Sequence, residues 1–170
     1  MNVKLRVELL ARLWKMLDEG RESATEQELY GVPVTARIEP IYKETLYKFL
    51  TRTLPSVFVV EDSETGLIAY EFANVHDCQR HIINEVLINN RATFVRFILA
   101  TYTVEDADSA IASADLWAFI LSWARKYDVA PAYIPVTQHS LTSELESLGY
   151  IKCKVASGTG FWGIRLDHSA

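Results

Sequence analysis

At 170 residues the chain fits one domain with room for a substantial buried core. A formal net charge of −5 argues against a broad nucleic-acid or anionic-membrane surface, although 17 Lys and Arg residues leave room for a local basic patch. No apolar run approaches the ~20 residues that a membrane helix needs, and charges interrupt the apolar pattern of Met1–Gly20, so no secretory signal is expected.

In chain order, Leu5, Leu9, Leu10, Leu13, Trp14, Met16 and Leu17 recur at helical spacing and predict an amphipathic helix that ends at Gly20. Residues 21–34 read as a polar connection. Pro40 then suits a first helical turn, Ile41, Leu46, Phe49 and Leu50 give a second helix its apolar face, and Pro55 closes it. A hairpin follows: β-rich Ser56–Glu61, a turn over Asp62–Gly66, and a return over Leu67–Phe72. Val75–Arg91 suits strand and short helix equally well. Thr93–Val104 is nearly continuous in apolar residues and predicts a central strand covered on both faces.

Beyond it, Ile111, Ala114, Trp117, Ala118, Ile120, Leu121 and Ala124 line a helix that reaches about Tyr127. Phe119, Trp123 and Tyr127 form a second stripe on that helix, read either as a partner surface or as a face covered by the N-terminal helices. Ala132–Val136 predicts a short strand. Ser140 reads as the N-cap of a helix carrying Leu141, Leu145 and Leu148 on one face, with Gly149 just past its end. Tyr150–Val155 alternates, Ser157–Gly160 turns the chain, and Phe161–Leu166 returns as the last strand. The sequence carries no internal repeat and no low-complexity segment.

This order of elements resembles the GNAT superfamily of N-acetyltransferases. The most specific local match is Ser143–Tyr150, a short helix that ends in Leu148-Gly149-Tyr150 and runs into a strand. The resemblance implies a single α/β domain over residues 1–170, with a mixed, mostly antiparallel central sheet flanked by helices. It also implies an acetyl-coenzyme A site at Tyr102, Val104, Ala110, Ala112 and Gln138. In the family, an Arg or Gln and two small residues close backbone N–H groups on a pyrophosphate at a helix N-terminus. Here those positions are Ala107, Ala110 and Ala112, and Leu145 stands where the family often has a tyrosine acid. Glu105, Asp106 and Asp108 are expected at that helix start. At about 6 Å and an effective dielectric of about 40, each carboxylate would oppose a phosphate by on the order of 1 kcal/mol.

The resemblance thus leads to a GNAT-like binding or assembly protein with a degenerate site, no resident cofactor and a protein partner. By analogy this extends to a phage protein serving in the particle or in takeover of the host. The alternative is an active N-acetyltransferase using acetyl-coenzyme A, for which Glu85 is the candidate base. His76, Asp77, Cys78 and His81 fall short of a zinc set, so no metal is expected. Cys78 and Cys153 are expected to be reduced thiols, consistent with a cytoplasmic location. Gly-x-Ser-x-Gly, Walker and His-Glu-x-x-His motifs are absent.

Overall fold

In the computed structural model, which describes residues 1–54, 56–88 and 90–168, Asn2 opens helix α1 (Val3–Asp18) by accepting the Leu5 N–H at 2.8 Å. Leu9, Leu10, Leu13, Trp14 and Leu17 turn inward from it, as their spacing predicts. Each such leucine contributes roughly 1.5–3 kcal/mol when fully buried. The supposed polar connection after α1 is structured. It forms strand β1 (Ser23–Thr25) and helix α2 (Glu26–Tyr30), which is started by a capping box between Thr25 and Glu28. Gly31 ends α2 with φ of 67°, and a Cβ there would lie 2.8 Å from the Arg12 guanidinium that donates to the Leu29 carbonyl.

Helix α3 (Pro40–Thr53) has its proline in the first turn and buries Leu46 and Leu50. Pro55, expected to close this helix, lies outside the described residues. The predicted hairpin is present as β2 (Val57–Glu61) and β3 (Ile68–Phe72). The ambiguous segment after it is helical, α4 (Val75–Ile88).

The largest correction concerns Thr93–Val104. Its first ten residues are helical, in α5 (Arg91–Tyr102), and only then does strand β4 (Thr103–Ala112) begin. Asn90 caps α5 by accepting the Thr93 N–H at 2.9 Å. Phe94, Val95, Phe97, Ile98, Leu99 and Tyr102 are buried around most of its circumference. A helix covered on nearly every side loses its polar stripe, so its sequence reads like a buried strand. Helix α6 (Ser113–Lys126) follows β4. Ala132–Val136 is not a strand either; Pro131–Tyr133 forms one 3₁₀ turn, consistent with Pro135 lacking a ladder donor. Helix α7 (Gln138–Ser147) is capped by Thr137, with Ser140 three residues inside as the reciprocal member of the box. The closing hairpin is β5 (Lys152–Val155) and β6 (Gly158–Leu166).

The strands form two three-stranded antiparallel sheets, ordered β1-β3-β2 and β4-β6-β5, not the one mostly antiparallel central sheet implied by the resemblance. The chain divides into two compact units, Met1–Glu85 and Val86–Ala170. Apart from α4, which ends the first unit, and the 3₁₀ turn within the second, both run helix, strand, helix, helix, strand, strand, and in both the first strand pairs with the last. A topology therefore repeats where the sequence shows no repeat. Among the described residues, no helix is long and apolar enough to cross a membrane.

Candidate functional site

The residues implied as a cofactor site all belong to the second unit. Tyr102, at the end of α5, is buried, and its hydroxyl accepts from the Trp123 indole at 3.0 Å. Its ring lies 5.0 Å from Phe119, while Trp123 packs against Phe94 at 5.8 Å and Tyr127 at 5.6 Å. In the aromatic stripe of α6, Trp123 is buried, Phe119 and Tyr127 are half-buried, and α5 packs on it through Phe94 and Tyr102. Val104 and Ala110 lie in β4, opposite Arg165 and Trp162. Ala112 is the N-cap position of α6, without a side-chain cap, and Gln138 opens α7.

The two helix starts border one cleft of about 390 Å³, lined by Ser113, Ala114, Gln138, His139, Thr142, Ser157 and Thr159. Ser113 donates to the Thr159 carbonyl at 2.7 Å and so fixes the start of α6 against β6. The cleft offers hydroxyls, one amide and one imidazole, and no carboxylate belongs to its lining. That set can hydrogen-bond a polar group.

The acidic run lies elsewhere than expected. Helix α6 starts at Ser113, so Glu105, Asp106 and Asp108 belong to β4, at a bulge between Glu105 and Ala110. Asp106 organises that bulge: it accepts from the Ser109 hydroxyl at 2.8 Å, the Asp108 N–H at 3.1 Å and the Arg165 guanidinium at 3.0 Å. These bonds, Ser109 foremost, hold its carboxyl below the usual range. The acid in the first turn of α6 is Asp115. Glu105, Asp106 and Asp108 therefore do not form the start of α6.

Glu85 lies on α4 and pairs with Arg6, a structural ion pair. Of the His76–His81 group, Asp77 pairs with Arg80, and burial followed by the Asp77 charge pushes the Cys78 thiol up. Among the described residues, no three His, Cys, Asp or Glu side chains converge as metal ligands. Cys78 and Cys153 are both free thiols. Leu145 is fully buried, as expected of a core residue.

A different surface stands out in the first unit, one that sequence reasoning missed. Helix α3 exposes Ile41, Tyr42 and Tyr47, and β2 exposes Phe58, Val59 and Val60, with Phe58 59% accessible. Facing pairs place Phe58 beside Glu71 and Val60 beside Ala69 on the outer face, while Tyr70 and Phe72 are buried on the other. An apolar pocket of about 320 Å³ lies at the entrance to α3, lined by Leu5, Tyr30, Val32, Arg37, Ile38, Glu39 and Tyr42. Tyr30 donates to the Tyr42 carbonyl at 2.6 Å, and burial, then Glu26 and Tyr42, push its phenol up to about 12. The missed signal was the lack of alternation: Val57, Phe58, Val59 and Val60 are apolar at successive positions, which a half-buried edge strand does not need. Comparison with protein-family models, with curated proteins and with solved structures returns no match.

Proposed function

We propose that this chain is a non-catalytic binding or assembly protein whose docking face is on the first unit. The observation that carries the reading is large apolar side chains left exposed on both α3 and β2. Exposed aromatics and β-branched residues cost solubility, and they are the residue types that anchor protein interfaces. The acidic hairpin beside them, with Glu61, Asp62 and Glu64, repels phosphate backbones and favours a protein partner over nucleic acid.

Photo-crosslinking in cells that make the protein tests this reading. Benzoylphenylalanine at position 47 or 58 is expected to trap a discrete partner, whereas the same group at position 125, on exposed Arg125 of α6, is not. Equal trapping at all three positions, or none, overturns it.

One observation favours a second reading, N-acetyl transfer from acetyl-coenzyme A: the polar cleft at the start of α6, with Gln138 in its wall and the acidic bulge outside its lining. Strictly antiparallel sheets weigh against it, since they offer no parting of parallel strands for the cofactor to enter. Calorimetric titration with acetyl-coenzyme A separates the two. No heat of binding is expected, and micromolar binding would replace the leading reading with this one.

A further inference from the structure

Among the described residues, the sheet order β1-β3-β2 leaves β2 paired along one edge only. The hydrogen-bond phase of the hairpin shows which groups that open edge presents. The Asp62 N–H donates to the Leu67 carbonyl at 2.9 Å, and the Ala73 N–H donates to the Ser56 carbonyl at 3.1 Å. Positions 56, 58, 60 and 62 therefore direct their backbone groups to β3, and Val59 and Glu61 direct theirs outward. The Val57 N–H is already engaged by the Leu54 carbonyl.

Exposed edges are ordinarily protected by lysine, proline, a bulge or shortness. In the second unit, edge strand β5 carries exposed Lys152 and Lys154, and in the first, β1 is three residues long. Strand β2 has none of these guards. It runs five residues in unbroken register with β3 and exposes Phe58, Val59 and Val60. Its charge has one sign: residues 56–72 contain Glu61, Asp62, Glu64 and Glu71 and no Lys, Arg or His. A second copy pairing β2 on β2 would set one acidic hairpin against another. A basic strand would meet complementary charge and apolar cover together.

We propose that β2 takes up, as a fourth strand, an extended segment of a partner protein that alternates apolar side chains with lysine or arginine. This rests on the first unit being the docking face, and it specifies the chemistry of what docks. Backbone pairing at Val59 and Glu61 supplies the affinity, Phe58 and Val60 accept the apolar side chains, and the hairpin acids select the basic ones.

The probe is a fluorescent nonapeptide alternating lysine with valine and phenylalanine, added to the full chain and followed by anisotropy. Its counterpart with glutamate in place of lysine is the control. The basic peptide is expected to saturate, with affinity falling about tenfold or more between ~50 and ~300 mM salt, and the acidic one not to bind. Amide hydrogen exchange at Val59 and Glu61 is expected to slow on binding. N-methylating alternate peptide amides is expected to abolish binding in one phase and spare it in the other. Val59→Pro removes an outward N–H without touching the β2–β3 ladder, so it should lose binding while its circular dichroism stays unchanged. If Val59→Pro unfolds, the N-methyl pair still decides. Equal binding of both N-methyl phases, unchanged exchange at both amides, or a β2-linked dimer in sedimentation overturns the proposal. Absence of peptide binding together with partner trapping at positions 47 and 58 would sink strand addition and leave the docking face standing.

Discussion

Gly160 sits where β6 runs between its two neighbours, and no side chain fits there. A Cβ would lie 2.7 Å from the Ile111 carbonyl oxygen and 2.7 Å from Val155 Cγ1. Valine can rotate away, but the carbonyl belongs to β4 and pairs across the sheet, so the backbone must shift. Gly160→Ala is expected to destabilise the protein by about 1–3 kcal/mol, the usual range for forced overpacking, read from urea unfolding. Tyr30 offers a residue-scale test on pH. Its phenol is raised from the ordinary value near 10 to about 12, chiefly by burial. A raised folded value means the neutral form is favoured, so its contribution is full below about 10 and is lost as pH climbs toward 12. Burial raises the Tyr70 and Tyr150 phenols as well, so tyrosinate absorbance should show several phenols ionising late, and Tyr30→Phe should remove one of them and flatten the fall of stability across that window. A titration in which every tyrosine ionises near 10 would contradict it.

Among the elements, what the sequence disclosed depended on whether one face of each met water. Helix α1 was legible because Leu9, Leu13 and Leu17 alternate with charges, and the β2–β3 hairpin was legible from the turn at Asp62–Gly66. Helix α5 was misread because Phe94, Val95, Phe97, Ile98 and Leu99 are all buried, which erases the period that separates helix from strand. Length was the surviving clue, since an unbroken run this long exceeds an ordinary strand. The α2 start was overlooked although Thr25 and Glu28 carry the capping-box spacing. The acidic run was misplaced for the same cause as α5: with that segment helical, Asp106 lies at a bulge of β4 instead of at a helix start. If the Asn90 cap is what commits this segment to helix, Asn90→Ala should cost about 1 kcal/mol, within the 0.5–2 range for lost caps, in thermal or urea unfolding. An unchanged midpoint would mean that burial alone sets the helix.

For the chain as a whole, the repeated topology has a thermodynamic consequence. Each unit closes its own sheet by pairing first strand with last, and each has separate interior anchors: Trp14, Leu46 and Tyr70 in one, Phe94, Trp123 and Phe161 in the other. A unit whose sheet and core are complete can hold its fold without its neighbour, although a chain of some 85 residues buries a smaller share of its surface and is marginal. A fragment ending at residue 88, which keeps α4 whole, is therefore expected to give dispersed amide spectra and a cooperative unfolding transition. Its midpoint should lie below that of the full chain, because a smaller core offsets less conformational entropy. The slope of its denaturant dependence should match that of the full chain, since that slope scales with the surface exposed in each transition and each unit unfolds by itself. Collapsed spectra from this fragment, or a full-chain slope about twice that of the fragment, would show that the two units are one cooperative body despite their separate sheets.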